Sequence, residues 1–217
     1  LWDFEARPIS EDDKDNLKSY ERISKRGFKG SLYKTDEFIN QHPFGTVPAG
    51  FVGDEHLGVF ESNSILRAVA RECKDKTLYG GEDINLKSRI DSYLDANLVF
   101  SREFQVYLLE LEDITKYTYE RTKSAYQFYM DGLENSLSKN NFLAGDSLSI
   151  ADISFVCEFA QFLREGHYLN QLKSKNLSLI SENFQTDYPL TFKHFKNLCN
   201  KKEFSDVMGT YLDWYKM

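Results

Sequence analysis

Cysteine is scarce in this chain, three in 217 residues. Cys73, Cys157 and Cys199 lie far apart and are odd in number. They argue against a disulfide framework and suit buried thiols in a reducing compartment. No apolar run approaches the roughly 18 residues of a membrane-spanning helix, and no signal-peptide pattern opens the chain. Basic residues are in deficit, 27 against 34 acidic, for a formal net charge of −7. That balance argues against a nucleic-acid-binding surface or an anchor on anionic lipid. The four histidines, His42, His56, His167 and His194, show no metal-ligand spacing, so no metal site is expected.

What is present is a folding composition: 41% hydrophobic and 15% aromatic residues, in a chain long enough for one large or two small domains. The cytoplasm is the expected compartment. Because the first residue is Leu1 rather than Met, an organelle reached after leader removal is the alternative.

The most informative stretch is Phe44 to Ile65, FGTVPAGFVGDEHLGVFESNSI. Val47-Pro48 supplies a tertiary amide able to adopt the cis form, which exposes the Val47 backbone instead of hiding it in a strand ladder. Gly53-Asp54-Glu55-His56 separates two short apolar runs as a hairpin turn does. Glu61-Ser62 falls where the first orphan N–H groups of a helix face outward, a seat for a carboxylate. Together these pieces describe a site for an extended, peptide-like anion. Taken singly, a proline at a strand start and a serine at a helix start are ordinary punctuation; order and spacing carry the weight.

Around that stretch the chain changes texture. Short segments broken by Gly and Pro predict an α/β unit up to Phe60, with strands at Trp2 to Phe4 and Ser31 to Lys34. Ser10 reads as an N-cap, followed by Glu11, Asp12 and Asp13 in a first helical turn. From Glu61 onward helix signals dominate, with a polar linker from Lys74 to Glu82 as the boundary. Leu86 to Glu112 predicts a long helix with Ile90, Leu94, Leu98, Tyr107, Leu108 and Leu111 on its apolar face. Thr118 to Leu137 predicts a second, through Ala125, Phe128, Tyr129, Leu133 and Leu137. Ser149 and Asp152 form a capping-box variant, with Leu148 and Ile153 placed as a hydrophobic staple. Asp187 with Pro189 opens a further helix, and a last one spans Glu203 to Tyr215. The domains expected are 1–76 and 83–217.

Three motifs, FGTVPAGF, FESNSI and FLAGDSLSIADI (Phe142 to Ile153), together resemble the cytosolic glutathione transferase superfamily. With FKNLCNKKEFSDVMG (Phe195 to Gly209) the pattern is similar to one branch, the transferase-like domain of the elongation factor 1 gamma subunit and its bacterial and algal relatives. The resemblance implies a thioredoxin-like N-terminal domain followed by an all-helical glutathione transferase C-terminal domain. It implies glutathione as ligand or substrate, no metal, and a homodimer or membership of a larger protein complex.

Carried onto this chain, the resemblance gives Val47 the backbone pairing with the cysteinyl part of glutathione and Pro48 the cis bond. Glu61 and Ser62 would hold the γ-glutamyl end, Ser149 and Asp152 would be structural, and Asp95 would face a partner subunit's ligand. Two departures bear on activity. Many relatives place Lys or His just before Val-Pro to neutralise the glycine carboxylate; here Gly45 and Thr46 stand there, and His42 is the nearby basic residue. The family's thiolate-stabilising residue falls within Glu5 to Asp15, where Ser10 is the sole hydroxyl and hence the catalytic candidate.

A second register reads Phe4 to Ile9 as the family's second strand, with the first strand and helix absent; the complete domain with an altered first helix is the preferred expectation. Two functions follow. One is a glutathione-binding transferase-like protein conjugating glutathione to an electrophile. The other is a non-catalytic scaffold for dimerisation or docking into a larger assembly.

Overall fold

Short strands joined by tight turns occupy the first third of the chain and helices the rest. The computed structural model describes residues 6–8, 32–34 and 36–209. It divides into two compact units, Leu1–Glu72 and Cys73–Met217.

In the first unit, β1 (Ala6–Pro8) pairs antiparallel with β2 (Leu32–Lys34). Two strands joined by a crossover helix would run parallel, so this pairing departs from a βαβ connection. The expected strand at Trp2 to Phe4 and the Ser10 helix lie outside the described residues. A short helix, α1 (Asp36–Gln41), leads to β3 (Ala49–Val52) and β4 (Leu57–Phe60), an antiparallel hairpin. Its turn uses Gly53 at φ 71° and His56 at φ 54°, with the His56 N–H donating to the Gly53 carbonyl at 3.2 Å. Helix α2 (Ser62–Glu72) follows directly. Gly58 is where α1 and β4 come closest: a Cβ there would collide with the Gln41 carbonyl.

The second unit starts with order rather than a loose linker. Asp75 caps a 3-10 turn (Lys76–Tyr79) and Gly80, at φ 75°, ends it. Tyr79 is buried and its hydroxyl donates to both Asp91 oxygens at 3.0 Å. Polar composition therefore marked a capped turn packed on the next helix. That helix is α3 (Ile84–Glu110), started by Asp83 accepting from the Asn85 and Leu86 N–H groups.

Against α3 pack α4 (Lys116–Leu137) and α5 (Ile150–Phe162); then come α6 (Leu169–Ser174), α7 (Phe184–Asp187), α8 (Pro189–Cys199) and α9 (Lys202–Met208). The core is aromatic: Phe100, Phe104, Phe155, Phe159, Phe162 and Phe195 are all fully buried. Two sequence expectations need correction. Leu98 and Leu108 are only half-buried while Phe100 and Phe104 fill the core. On α4 the buried stripe runs Tyr119, Thr122, Tyr126, Tyr129, Met130 and Leu133, which leaves Phe128 78% exposed. The polar Thr122 within that stripe hid its phase. The last helix is described only to Met208; the remainder of its expected span lies outside the described residues.

No helix among the described residues is long and apolar enough to cross a membrane.

Candidate functional site

The hairpin register assembles the candidate site. Ala49 and Phe60 are Cα partners at one end of the β3–β4 ladder. Val47-Pro48 immediately precedes Ala49, and Glu61-Ser62 immediately follows Phe60, so both dipeptides flank the same hairpin end. The Val47-Pro48 bond is cis. Val47 is exposed and lies outside the β3–β4 register, which begins at Ala49.

On the other side, Glu61 adopts φ 68°, a left-handed conformation unusual for a residue with a side chain. Its carbonyl accepts the Ser64 and Ile65 N–H groups, both at 3.0 Å, and so starts α2. Ser62, exposed, is the first residue of that helix. A helix start concentrates unsatisfied N–H groups and the positive end of the peptide dipoles, which favours a carboxylate there. Behind it, Ile65 packs over Gly50 of β3, so α2 is seated on the hairpin.

The loop before Val47 is held from within. His42 is fully buried, stacked face to face on Phe60 and tilted against Phe38. Its Nε2 accepts the Thr46 N–H at 3.2 Å and lies 3.1 Å from the Thr46 hydroxyl. An amide N–H only donates, so Nε2 is the unprotonated nitrogen, and the hydroxyl donates to it too. His42 is thus a loop clamp rather than a base reaching a ligand from outside. The cation that Gly45 and Thr46 do not supply is not restored by His42.

Among the other expected residues, Ser10 lies outside the described residues. Asp95 sits at an exposed position of α3. Asp152 is fully buried in the second unit: one oxygen accepts the Ser149 N–H and hydroxyl, the other the Leu143 N–H, all at 2.9 Å, and His194 Nε2 lies 2.9 Å from that second oxygen. This carboxylate ties the α5 start to α8 and to the preceding loop.

Two buried acids escaped the sequence reading. Glu165 receives four hydrogen bonds, from the Tyr107 hydroxyl, the Ile180 N–H, and the Ser181 N–H and hydroxyl. Burial pushes its carboxyl up, while the Ser181, Tyr107 and Ile180 donors pull it down. Glu134 accepts the Leu190 and Thr191 N–H groups and the Thr191 hydroxyl, which caps α8 from α4. Their partners are 15 to 58 residues away, so no local pattern marks them. Both acids are structural. Among the described residues no His, Cys, Asp and Glu are grouped to hold a metal ion.

Comparison with known proteins places this geometry. Residues 105–202 match the family "Glutathione S-transferase, C-terminal domain". Elongation factor 1-gamma 1 of Oryza sativa subsp. japonica is 29% identical over 198 residues, covering 86% of this chain and 42% of the relative. The chain thus spans about two fifths of the length of that curated relative. A glutathione transferase from Phanerochaete chrysosporium, solved in complex with oxidized glutathione, superposes with TM-score 0.63 at 19% identity, covering 83% of this chain and 79% of that one. Glutathione S-transferase-I, bound with lactoylglutathione, gives 0.61 at 20% identity, covering 80% and 78%.

Proposed function

The chain is a glutathione S-transferase superfamily protein that resembles elongation factor 1-gamma, and from that premise we propose that it binds glutathione along the hairpin end between Val47 and Ser62. One observation carries the reading: the Ala49–Phe60 pairing brings the cis Val47-Pro48 bond beside the Glu61-Ser62 start of α2. In this reading the Val47 backbone pairs with the cysteinyl residue of the tripeptide. Ser62, through N–H and hydroxyl, takes the γ-glutamyl carboxylate, and the Glu61 carboxylate takes the γ-glutamyl amine. The missing cation before Val47 leaves the glycine carboxylate without a charge-assisted bond, an affinity loss of about tenfold or more.

A second reading is favoured by the resemblance to elongation factor 1-gamma: a transferase-like module that dimerises or docks into a larger assembly without turning over substrate. Conjugation of glutathione to an electrophile would rest on Ser10 as thiolate stabiliser.

Glutathione-affinity retention followed by a chloronitrobenzene conjugation assay separates these readings. Retention that is lost in Ser62→Ala supports the binding site. Turnover abolished by Ser10→Ala supports the transferase. Retention without turnover supports the scaffold with a working ligand site, and absence of both removes the glutathione reading.

A further inference from the structure

Away from the first unit, the helical unit contains a cavity of about 190 Å³ between α4 and the segment 178–188. At roughly 30 Å³ per water, that is the room of about six waters, the scale of a free amino acid rather than a drug-sized ligand. Its walls are chemically divided. From α4, Lys123, Tyr126 and Gln127 line one side. Spaced three and four residues apart, they share one helix face, and each offers a donor. From the opposite segment, Glu182, Asn183 and Asp187 line the other side with acceptor oxygens.

Tyr126 is the telling member. It is 4% exposed, its ring packs on Phe159, Phe162 and Tyr188, and its buried hydroxyl has no hydrogen-bond partner among the described residues. An unpartnered buried hydroxyl weakens the fold by its full desolvation cost. Phenylalanine would fill the same packing without that cost. The hydroxyl lines the cavity, where an acceptor atom on a ligand would satisfy it.

The rest of the cavity wall is held firmly. The Tyr119 hydroxyl donates to the Ser178 carbonyl, and the Ile180 and Ser181 N–H groups are tied to the buried Glu165. The segment carrying the acidic wall is therefore anchored to the core on the side of α4.

We propose that this cavity binds a free α-amino acid, with its carboxylate taken by Lys123, the Tyr126 hydroxyl and Gln127, and its ammonium by Glu182 and Asp187. A simple anion would meet one cation and two acids. A simple cation would leave the Tyr126 hydroxyl still unsatisfied. A compact zwitterion complements both walls at once. The site lies within the second unit and is independent of the glutathione reading.

The test is an NMR titration of the full chain with L-alanine, beside N-acetyl-L-alanine and L-alaninamide. Saturable shifts confined to Tyr119, Tyr126 and the Ser178 to Ile180 amides, seen with L-alanine and at least tenfold weaker with either blocked analogue, support the site. Lys123→Ala, at an exposed position, should abolish the saturation without disturbing the fold. Tyr126→Phe should do the same while raising the ligand-free Tm. No saturable shift with L-alanine, equal response to the blocked analogues, undiminished binding by Tyr126→Phe, or a lowered Tm in that variant would each overturn the proposal.

Discussion

His42 and Phe60 lie ring on ring, centroids 4.6 Å apart and planes within 4°. Phe60 ends β4, one residue before Glu61, and His42 holds Thr46, one residue before Val47. A single stacked pair therefore fixes both chain segments that make up the proposed glutathione site. The stacking is hydrophobic and quadrupolar; the Thr46 bond is specific to the imidazole.

That division predicts the behaviour of His42→Phe. The variant keeps an aromatic face on Phe60 but leaves the Thr46 N–H without its acceptor. The expected stability loss is about 1–3 kcal/mol, read as a lowered urea midpoint with unchanged m-value. Glutathione retention should fall further than stability does, because the loop that presents Val47 loses its clamp.

Gly58 tests the packing beneath the same hairpin. Alanine there drives a methyl group into the Gln41 carbonyl, a backbone group at the end of α1 that no rotamer change moves aside. Gly58→Ala is expected to cost about 1–3 kcal/mol as overpacking. Gly50→Ala is the control: its Cβ would sit 3.6 Å from Ile65, at ordinary contact distance. Urea denaturation of the two variants should separate them clearly.

These residues also show what was legible from sequence. Val47-Pro48, the Gly53 turn and Glu61-Ser62 are local signals, since proline, glycine and helix starts act over a few residues. They were read at their observed positions. His42 was misread as an outward base because its burial comes from Phe60, eighteen positions along the chain, and no periodicity links the two. Phe128 was placed in the core and is exposed, because Thr122 is buried in a stripe that hydrophobicity alone phases differently. The β1–β2 pairing was not read at all: three-residue strands carry too little alternation to announce a partner.

Glu165 makes the long-range case testable. Glutamine in its place has one oxygen where the carboxylate has two, so its NH₂ must face either the Ile180 or the Ser181 backbone N–H. Hydroxyls of Tyr107 and Ser181 can turn to accept, but an amide N–H cannot. Glu165→Gln should therefore cost about 1–3 kcal/mol. Hydrogen exchange at Ile180 and Ser181 should accelerate more than exchange elsewhere in the unit.

Glu158 predicts a pH dependence of opposite character. Burial on α5 pushes its carboxyl up, with the Ser101 hydroxyl and the Arg102 guanidinium opposing. A raised folded pKa means that the native state holds this proton where the unfolded chain, near an ordinary 4.3, has released it. Its contribution to stability is full below that unfolded value and is lost as pH rises through the folded one. Glu158→Gln removes the titration. The variant should gain on the parent as pH climbs from about 4 through the folded pKa, and the gap should then level off. Urea unfolding at several pH values between those limits would show a widening gap; a constant gap would place the cause elsewhere.

Glu61 separates fold from function most sharply. Its φ of 68° costs a side-chain-bearing residue about 1–2 kcal/mol relative to the right-handed region, and glycine at the same position avoids that cost. On folding grounds alone Glu61→Gly should be neutral or stabilising by up to about 1 kcal/mol. If Glu61 holds the γ-glutamyl amine, the same variant should lose glutathione retention while its Tm holds or rises. Strain kept at a position where a smaller residue folds better is the signature of a residue retained for its ligand. A Glu61→Gly variant that unfolds readily, or that retains glutathione as well as the parent, would assign Glu61 to the fold alone.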